Sequence, residues 1–463
     1  MSEGYRIEKD AIGTMQVPID AYYGVQTMRA HENFNITGQR VHPQFIKSIV
    51  EIKIAAAMTN AEVGVLDARI ANAIIRAGNE VLNGKFADAF IVDTIQGGAG
   101  TSLNMNANEV LANRAIELLG GQKGDYSIVH PNDHVNCGQS TNDVYPSAGK
   151  IAVIRLLNQA HVALMQLENT LQKKAEAFKN IVKMGRTEMQ DAVPISLGQT
   201  FGAYAKSVGR DVKRFQDAAA ALSRLNMGGT AVGTGITADA RYIEKIVANI
   251  ADITGLSLSQ ADDLVDATQN LDEFVYVSGI LKSCAATISK ISNDLRLMSS
   301  GPRTGFGEIN LPPRQNGSSI MPGKINPVMP ELMNQIAFNV IGNDLTVTMA
   351  AEAGQLELNA FEPVIFYCFF ESIEMLTNGI SAFTAYCVEG ITANEDQCKE
   401  AVENSLGIIT ALCPYIGYTK ASSIAKRALK ENKRIYDLLL EENIMEKETL
   451  DKIFDEVLQN LSE

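Results

Sequence analysis

Residues 317–331 concentrate polar groups that could bind an anion. The segment reads Gly-Ser-Ser-Ile-Met-Pro-Gly-Lys-Ile-Asn-Pro-Val-Met-Pro-Glu, and its hydroxyl, ammonium and amide groups belong to Ser318, Ser319, Lys324 and Asn326. Glycine frees the backbone and proline interrupts ordinary helix, so a loop is predicted here. A helical pattern follows, and the free N–H groups and dipole of a helix N-terminus favour a negatively charged ligand. On composition alone, a surface loop with a helix cap is the alternative.

A nucleotide-phosphate loop does not fit this segment. Five residues separate Gly317 from Gly323 where the nucleotide motif has four, and Ile325 stands where that motif needs Ser or Thr for magnesium. The segment is therefore interpreted as an anion-binding loop of a different kind.

A second polar segment, residues 97–109, reads Gly-Gly-Ala-Gly-Thr-Ser-Leu-Asn-Met-Asn-Ala-Asn-Glu. Its glycines expose backbone N–H groups, and Thr101, Asn104 and Asn106 add short polar donors. A dinucleotide loop is excluded, because a leucine replaces the third glycine and no strand is predicted before the segment. A plain helix cap before residues 108–118 explains the pattern equally well.

Two further polar segments, residues 130–143 and 185–194, lie at the two ends of the first long predicted helix. One helix needs one N-cap, so three consecutive donors at the end of the first segment exceed that demand. The second segment is predicted to be a polar loop between two helices, with a solvated turn as the alternative. The candidate side chains in these segments are Ser140, Thr141, Asn142, Thr187 and Glu188.

Long stretches with helical periodicity predict the elements that position these loops. Apolar residues recur at three-, four- or seven-residue intervals, as in Ile154, Leu157, Leu164 and Leu171. Five such helices without strands between them should pack as a bundle at shallow crossing angles, so the fold is predicted to be mainly α-helical. The predicted long helices cover residues 151–178, 197–225, 263–298, 331–358 and 363–391.

Changes in composition near residues 140 and 395 predict three domains. Residues 1–140 carry shorter helical segments and turns, residues 141–395 carry the bundle with the loop at 317–331, and residues 396–463 form a small helical tail. Residues 275–291 are apolar over most of the helix circumference, which indicates further burial between subunits.

Composition limits the class of protein. Apolar residues make up 46% and charged residues 20% of the 463 residues, as in soluble globular proteins. A formal charge of −14 argues against nucleic-acid binding, although a local cationic pocket could still bind anions. The charged start of the sequence is unlike a secretory signal, and six dispersed cysteines predict reduced thiols in the cytoplasm. Zinc is not expected at His130 and His134, because Pro131 separates them and the His-Glu-x-x-His pattern is missing. No metal or cofactor is predicted.

The pattern Gly-Ser-Ser-x-Met-Pro-x-Lys-x-Asn at residues 317–326 closely resembles the signature of the aspartase/fumarase superfamily, whose members cleave a C–N or C–O bond and release fumarate. The resemblance runs from about Arg6 into the low 400s. Residues 22–27, 97–109 and 264–270 are similar to the branch that acts on aspartate. The resemblance implies the family's three-domain fold and the reversible deamination of L-aspartate to fumarate and ammonia through an enediolate. It also implies a homotetramer whose central bundles merge into one multi-helix core.

The resemblance assigns roles position by position. Ser318 would be the base that removes a proton from C3 of the substrate. Glu188 departs from the family's common His or Gln; its carboxylate could pair with the substrate's ammonium, or it could turn toward a neighbouring residue or subunit. The implied substrate-binding residues are Thr101, Ser140, Thr141 and the Ser319 backbone for the β-carboxylate, Lys324 and Asn326 for the α-carboxylate, and Asn142 and Thr187 for the α-amino group.

Three alternatives stay open: a fumarase, a lyase for a substituted aspartate, and a catalytically silent binding or structural protein on the same scaffold. The joint presence of Ser318, Lys324, Asn326 and Thr101 favours an enzyme. The expected partners are small-molecule substrates and further copies of the chain, with active sites shared among three subunits of the tetramer, and neither nucleic acid nor membrane. The tail after residue 395 is expected to lack the usual family ending, so no role is predicted for it.

Overall fold

The computed structural model describes residues 4–459 of the chain and is mainly α-helical, as predicted. The α-helices are α1 Val25–Asn33, α2 Pro43–Glu62, α3 Ala68–Leu82, α4 Thr101–Leu118, α5 Thr141–Ala177, α6 Leu197–Ala221, α7 Ala240–Thr254, α8 Leu264–Gln269, α9 Asp272–Met298, α10 Val328–Glu352, α11 Glu362–Tyr386, α12 Glu395–Asn404, α13 Ile409–Ile416, α14 Tyr418–Glu431, α15 Ile435–Glu441 and α16 Lys447–Gln459. The strands are β1 Tyr5–Lys9, β2 Thr14–Pro18, β3 Val182–Thr187, β4 Gln190–Ser196, β5 Arg224–Leu225, β6 Ser259–Gln260, β7 Ile309–Asn310 and β8 Thr392–Ala393.

The five predicted long helices are confirmed as α5, α6, α9, α10 and α11, although most of their ends differ from the predicted bounds by a few residues or more. Helix α5 begins at Thr141, ten residues before the predicted start, and accepts Pro146 in its second turn. The segment predicted as one helix over residues 263–298 is broken into α8 and α9. The break lies at Asn270, whose backbone is extended and whose side chain donates to Asp266 Oδ1 at 2.6 Å. A side chain that hydrogen-bonds locally in this way competes with helix continuation.

The polar loop predicted over residues 185–194 is a β-hairpin instead. Strands β3 and β4 pair antiparallel, with Thr187 opposite Gln190 and a bulge between Met184 and Arg186. The strands form because Met184 is buried against apolar residues that lie more than 200 positions later in the sequence. Such a long-range packing contact cannot be seen in the local pattern. The other pairs, β1–β2, β5–β6 and β7–β8, are two-stranded as well.

The chain forms two compact units. Unit 1 comprises Met1–Ala160, Arg214–Lys282 and Asn339–Met375. Aromatic rings fill its centre: the Phe45 ring lies 4.7 Å from Tyr145 and 5.1 Å from Phe366 between centroids. Gly149 on α5 makes room for the Phe366 ring, since a Cβ atom there would come within 2.0 Å of it. This packing fixes the start of α5, where three candidate residues lie.

Unit 2 comprises His161–Lys213, Ser283–Phe338 and Leu376–Glu463. Here Phe178 and Phe201 pack edge to face at 5.3 Å, and Tyr204 donates to Asp294 Oδ2 at 2.8 Å. A separate apolar cluster of the C-terminal helices includes Leu412, Leu438 and Leu450 and extends to Met184 of the β3–β4 hairpin. The C-terminal helices therefore support that hairpin.

Two further observations concern class and domains. Within the described residues, α9 is the one helix long and apolar enough by length and composition to cross a membrane, and half of its apolar window is buried. Buried core helices of soluble proteins share this property. The two units cut across the predicted segments 1–140, 141–395 and 396–463, and the three-domain division stays a prediction.

Candidate active site

The loop before α10 holds Ser318 in a defined turn. Its Oγ accepts hydrogen bonds from the backbone N–H groups of Ile320 at 3.2 Å and Met321 at 3.1 Å. Donors directed at a hydroxyl oxygen stabilise its anion relative to the neutral form. The turn thus gives this serine an environment that suits a base.

The same loop is closed at its base and open at its tip. Gly317 N–H donates to the Lys324 carbonyl oxygen at 2.8 Å, and Asn326 Nδ2 donates to the Gly317 carbonyl oxygen at 3.1 Å. At the tip, Ile320 is 84% exposed. An apolar side chain left in solvent this way is available for packing when a ligand or another chain covers the loop.

A groove of about 1070 Å³ runs beside this loop in unit 2. The groove is lined by the positively charged Lys324 and Arg296 and by the negatively charged Glu331, which lies in the first turn of α10. Asn326, Asn310 and Asn394 add amide groups to its lining. Two cations and several amides in one open groove suit a small anionic ligand.

Unit 1 places the other hydroxyl groups at the starts of α4 and α5. Thr101 is the first residue of α4, exposed, with its hydroxyl donating to the Gly98 carbonyl oxygen at 2.7 Å. Gly100 before it has a φ of 91°, and a Cβ atom there would lie 2.2 Å from the Tyr145 ring, so this position requires glycine. The glycine loop therefore delivers Thr101 to the surface of unit 1.

Ser140, Thr141 and Asn142 have three different partners, so the simple capping explanation covers one of them. Ser140 caps α5, because its Oγ accepts from Asn142 N–H at 3.2 Å while its own N–H donates to Asp143 Oδ1 at 2.9 Å. Thr141 Oγ1 accepts from Asn104 Nδ2 at 3.0 Å. Asn142 Nδ2 donates to the Ala231 carbonyl oxygen at 2.7 Å. Of the predicted donors, Asn106 serves the fold instead: its amide holds the backbone of residues 89 and 91.

A loop over residues 228–235, which was not predicted from the sequence, contacts this group. Asp143 Oδ2 accepts from the N–H groups of Gly228 at 3.2 Å and Thr230 at 3.1 Å. Burial raises the pKa of Asp143 to about 6. The N–H donors and the charge of Lys53 lower the pKa, but their effect is smaller than that of burial. Four glycines in Gly-Gly-Thr-Ala-Val-Gly-Thr-Gly were the signal available in the sequence. Gly233 is required there, because a Cβ would lie 2.4 Å from the backbone of Val265.

Thr187 and Glu188 lie at the exposed tip of the β3–β4 hairpin in unit 2. Glu188 has a φ of 52° and Met189 a φ of 65°, as the type I′ two-residue turn requires. Neither residue is the Gly or Asn that tolerates this region, so the tip stores backbone strain. Strain of this kind is found at functional sites more often than elsewhere.

A buried carboxylate anchors the hairpin next to this tip. Glu308 is 1% exposed, its Oε1 accepts from Arg186 Nη1 at 2.5 Å, and its Oε2 lies 3.1 Å from Lys183 Nζ. The Lys183 contact lacks hydrogen-bond geometry, and that ammonium donates a hydrogen bond to the Met184 carbonyl oxygen at 3.0 Å. Arg186 also stacks on Phe306, 4.1 Å from the ring centroid. Glu308 immediately precedes β7, which leads into the Ser318 loop, so the hairpin and that loop share one anchor.

The structure therefore gathers the candidate residues into two sets. Unit 1 brings together Ser140, Thr141 and Asn142, with Thr101 on the neighbouring α4; unit 2 carries the hairpin tip and the Ser318 loop. The described residues contain no group of three or more His, Cys, Asp or Glu side chains that could hold a metal ion. The hydroxyl, ammonium and amide groups of the two sets suit acid–base chemistry on an anionic ligand.

Comparison with known proteins places the chain in a family. The family model described as "Lyase" matches residues 13–342, and the model described as "Fumarase C C-terminus" matches residues 408–457. The second match corrects the expectation that the tail lacks the family ending.

Relatives of similar length match almost the whole chain. An aspartate ammonia-lyase from Bacillus sp is 53% identical, and the match covers 98% of this chain and 97% of the relative. A second aspartate ammonia-lyase, from Helicobacter pylori (strain J99), is 53% identical, and the match covers 97% of this chain and 96% of the relative. The crystal structure of a fumarate lyase:delta crystallin from Brucella melitensis bound to cobalt superposes with a TM-score of 0.96. The two sequences are 45% identical, and the match covers 99% of this chain and 100% of that one. The chain belongs to the aspartase/fumarase superfamily of lyases.

Proposed function

We propose that this chain is an aspartate ammonia-lyase, a carbon–nitrogen lyase that converts L-aspartate reversibly to fumarate and ammonia. The observation that carries the proposal is the match to aspartate ammonia-lyases at 53% identity over 98% of the chain. The groove beside the Ser318 loop, with Lys324 and Arg296 in its lining, supports a small dicarboxylate as the ligand.

In the proposed reaction, the ionised Ser318 Oγ takes the proton from C3 of aspartate and becomes a neutral hydroxyl. The electrons of that C–H bond move into the β-carboxylate, which becomes a dianionic enediolate. The enediolate collapses to form the C2–C3 double bond, and the C2–N bond breaks with its electron pair leaving on ammonia. The step that needs most help is the first, because a carboxylate that already carries charge gains more. The two N–H groups directed at Ser318 Oγ support its role as the base.

The substrate contacts follow the family roles as proposals. Thr101, Ser140, Thr141 and the Ser319 backbone would stabilise the β-carboxylate as charge develops on it. Lys324 and Asn326 would hold the α-carboxylate, which gains no charge. Their location on one loop with Ser318 supports this pairing, since the base and the groups that orient the substrate then move together.

The α-amino group is assigned to Asn142, Thr187 and Glu188. Glu188 carries a carboxylate at an exposed and strained turn, and a carboxylate is suited to an ammonium ligand. A Glu188→Gln variant should therefore raise KM for aspartate and leave inhibition by succinate, which lacks the amine, nearly unchanged. Equal losses for both ligands would show that Glu188 faces something other than the amine.

We further propose a homotetramer with active sites shared among three subunits. Helix α10 leaves Phe338, Ile341, Leu345 and Met349 exposed at intervals of three and four residues, and Phe338 is 66% exposed. Such a row forms one apolar face, and an uncovered apolar face of this length favours association with further copies of the chain.

Subunit mixing tests the shared site. Ser318→Ala and Thr101→Ala chains should each be inactive, and tetramers assembled from both should recover part of the activity, because some sites would draw intact residues from different chains. Mixed tetramers without recovery, or full activity in a stable monomer, would refute the model.

A cytoplasmic location is proposed on the cysteines, since Cys137, Cys368, Cys387, Cys398 and Cys413 lie outside any disulfide. Cell fractionation that finds the protein outside the cytoplasm would overturn it.

The reaction itself is tested by following fumarate absorbance with aspartate, malate and argininosuccinate in turn. Aspartate should give the highest kcat/KM. Malate turnover above aspartate turnover would point to a fumarase, argininosuccinate turnover to a lyase for substituted aspartates, and no turnover to a silent protein.

A further inference from the structure

A buried chain of polar side chains runs from α2 to the start of α5 within unit 1. Asn104 on α4 is 1% exposed, and its Nδ2 lies 3.0 Å from Thr141 Oγ1 and 3.2 Å from Asn136 Oδ1. Asn136 Oδ1 in turn lies 2.8 Å from Nζ of Lys53, a lysine with no exposed surface. None of the roles assigned above uses Lys53, Asn104 or Asn136.

The direction of each hydrogen bond in this buried network is fixed by Lys53, which lies at the end away from Thr141. A lysine amine facing an amide oxygen donates, so Asn136 Oδ1 and Gln139 Oε1, at 2.8 and 2.9 Å from Lys53 Nζ, are both acceptors. Asn136 Nδ2 confirms this orientation, because it donates to the Gln139 carbonyl oxygen at 3.0 Å. Gln139 Nε2 donates to the Val135 carbonyl oxygen at 3.0 Å, which fixes the Gln139 amide in the same sense.

The orientation of the Asn136 amide in turn determines the orientation of the Thr141 hydroxyl. Because Asn136 offers an oxygen, Asn104 must turn its NH₂ group toward it, and the same NH₂ group donates its other hydrogen to Thr141 Oγ1. With that acceptor position filled, the single hydroxyl hydrogen of Thr141 points away from Asn104. Within residues 4–459 the structure shows no acceptor for it, so it is available to a ligand.

We propose that Asn104 is a positioning residue of the elimination: it sets the Thr141 hydroxyl as a hydrogen-bond donor to the substrate carboxylate that becomes the enediolate, while Lys53 and Asn136 hold Asn104 in that orientation. The role rests on the proposed function, since it concerns the carboxylate assigned to Thr141. A donor fixed before the reaction needs no reorientation when charge develops. A buried chain of donors also strengthens each member, since each bond polarises the next.

The chain provides its own matched control in Asn108. This residue lies one turn further along α4, is equally buried, and its Nδ2 also donates to Asn136 Oδ1, at 3.1 Å. Its other contact from Nδ2 is to Met105 Sδ, and it makes no hydrogen bond to Thr141 in the described structure. Replacement of either asparagine removes one donor from Asn136, but only replacement of Asn104 frees Thr141.

The test compares Asn104→Leu with Asn108→Leu. The first variant should lower kcat for aspartate about 10- to 100-fold, somewhat less than the 10²–10³-fold typical for loss of an oxyanion donor, because the hydroxyl stays but loses its orientation. Inhibition by succinate, which resembles the ground state, should change less than about threefold. Inhibition by the nitronate analogue of aspartate, which resembles the enediolate, should weaken in parallel with kcat/KM. The second variant should keep kcat within about threefold.

Asn104→Asp covers the case in which the leucine variant does not fold. It preserves volume but presents an acceptor to Thr141, so the hydroxyl hydrogen turns inward and kcat should fall at least as far, whereas Asn108→Asp should not show this loss. Equal kcat losses at positions 104 and 108, or a loss at 104 confined to KM and succinate inhibition, would overturn the positioning role. If the wild-type protein does not convert aspartate to fumarate, the proposed function fails instead, and the two failures are thereby distinguished.

Discussion

Replacement of Ser318 by alanine should lower kcat by about 10²–10⁴-fold, the usual contribution of a positioned proton-transfer group. KM for aspartate should change much less, because the base acts in the chemical step. The alternative explanation of such a loss is structural, since Ser318 Oγ also accepts the N–H groups of Ile320 and Met321 and so organises the loop.

The magnitudes separate these two explanations. The turn bonds are about 3.1 and 3.2 Å long and lie in an exposed loop, where water can replace them. Each is therefore worth roughly 0.5 kcal/mol, the lower end of the range for hydrogen bonds. Losing both costs about 1 kcal/mol, which corresponds to about a fivefold fall in rate if the loop order alone matters. A loss of a hundredfold or more exceeds this by at least an order of magnitude.

The assay combines fumarate absorbance with deuterium exchange at C3 of aspartate, which reports proton removal even when ammonia is not released. Ser318→Asn is the control variant, because an asparagine side chain can accept the same two N–H groups but has no basic oxygen. It should be as inactive as Ser318→Ala in both assays. Recovery of more than about a tenth of kcat in Ser318→Asn would show that the turn matters and the base does not.

Three further predictions concern charge. Lys324→Met should mainly raise KM for aspartate, because Lys324 is assigned to the carboxylate that gains no charge, and steady-state kinetics showing an unchanged KM would contradict that role. Glu308→Gln should lower the free energy of unfolding by about 3–5 kcal/mol, since Arg186 and Lys183 would lose their buried counter-charge; denaturant unfolding within about 1 kcal/mol of wild type would contradict this. Burial lowers the pKa of Lys53 to about 7. Between about pH 7 and about pH 10, therefore, Lys53 is protonated in the unfolded chain but has lost its proton in the folded chain. Stability should therefore rise with pH across this window, by up to about 1.4 kcal/mol per pH unit, and Lys53→Met should flatten the slope; an equal slope in the variant would contradict the assignment.

The long helices could be predicted because their information is local. Apolar residues at helical spacing and the rarity of proline indicate each one without knowledge of its neighbours, and the five helices are present. The β3–β4 hairpin could not be predicted in this way. Its turn carries Glu188 and Met189 rather than the Asn-Gly or Asp-Gly that signals a hairpin, and its strands depend on Met184 packing with residues of the C-terminal helices.

Part of the candidate chemistry could likewise be predicted from residue types. Ser318, Lys324 and Asn326 stand in one short segment, and their residue types predict anion binding, whereas proton removal by Ser318 is implied by the resemblance of the segment to the family signature. The loop over residues 228–235 was missed, because glycine-rich segments are common in turns and the contacts that matter, to Asn142 and Asp143, come from about 90 residues away in the sequence.

The sequence by itself determined the helices, the hydroxyl- and amide-rich segments and the family, because these depend on spacing and residue type along the chain. The tertiary structure alone decided what each polar group contacts. Lys53 looks like any lysine in a helical sequence, but packing removes it from water and directs its amine to Asn136. The orientation of the Thr141 hydroxyl follows from that burial through Asn104, since hydrogen-bond direction is settled by partners on separate elements and cannot be read from one segment.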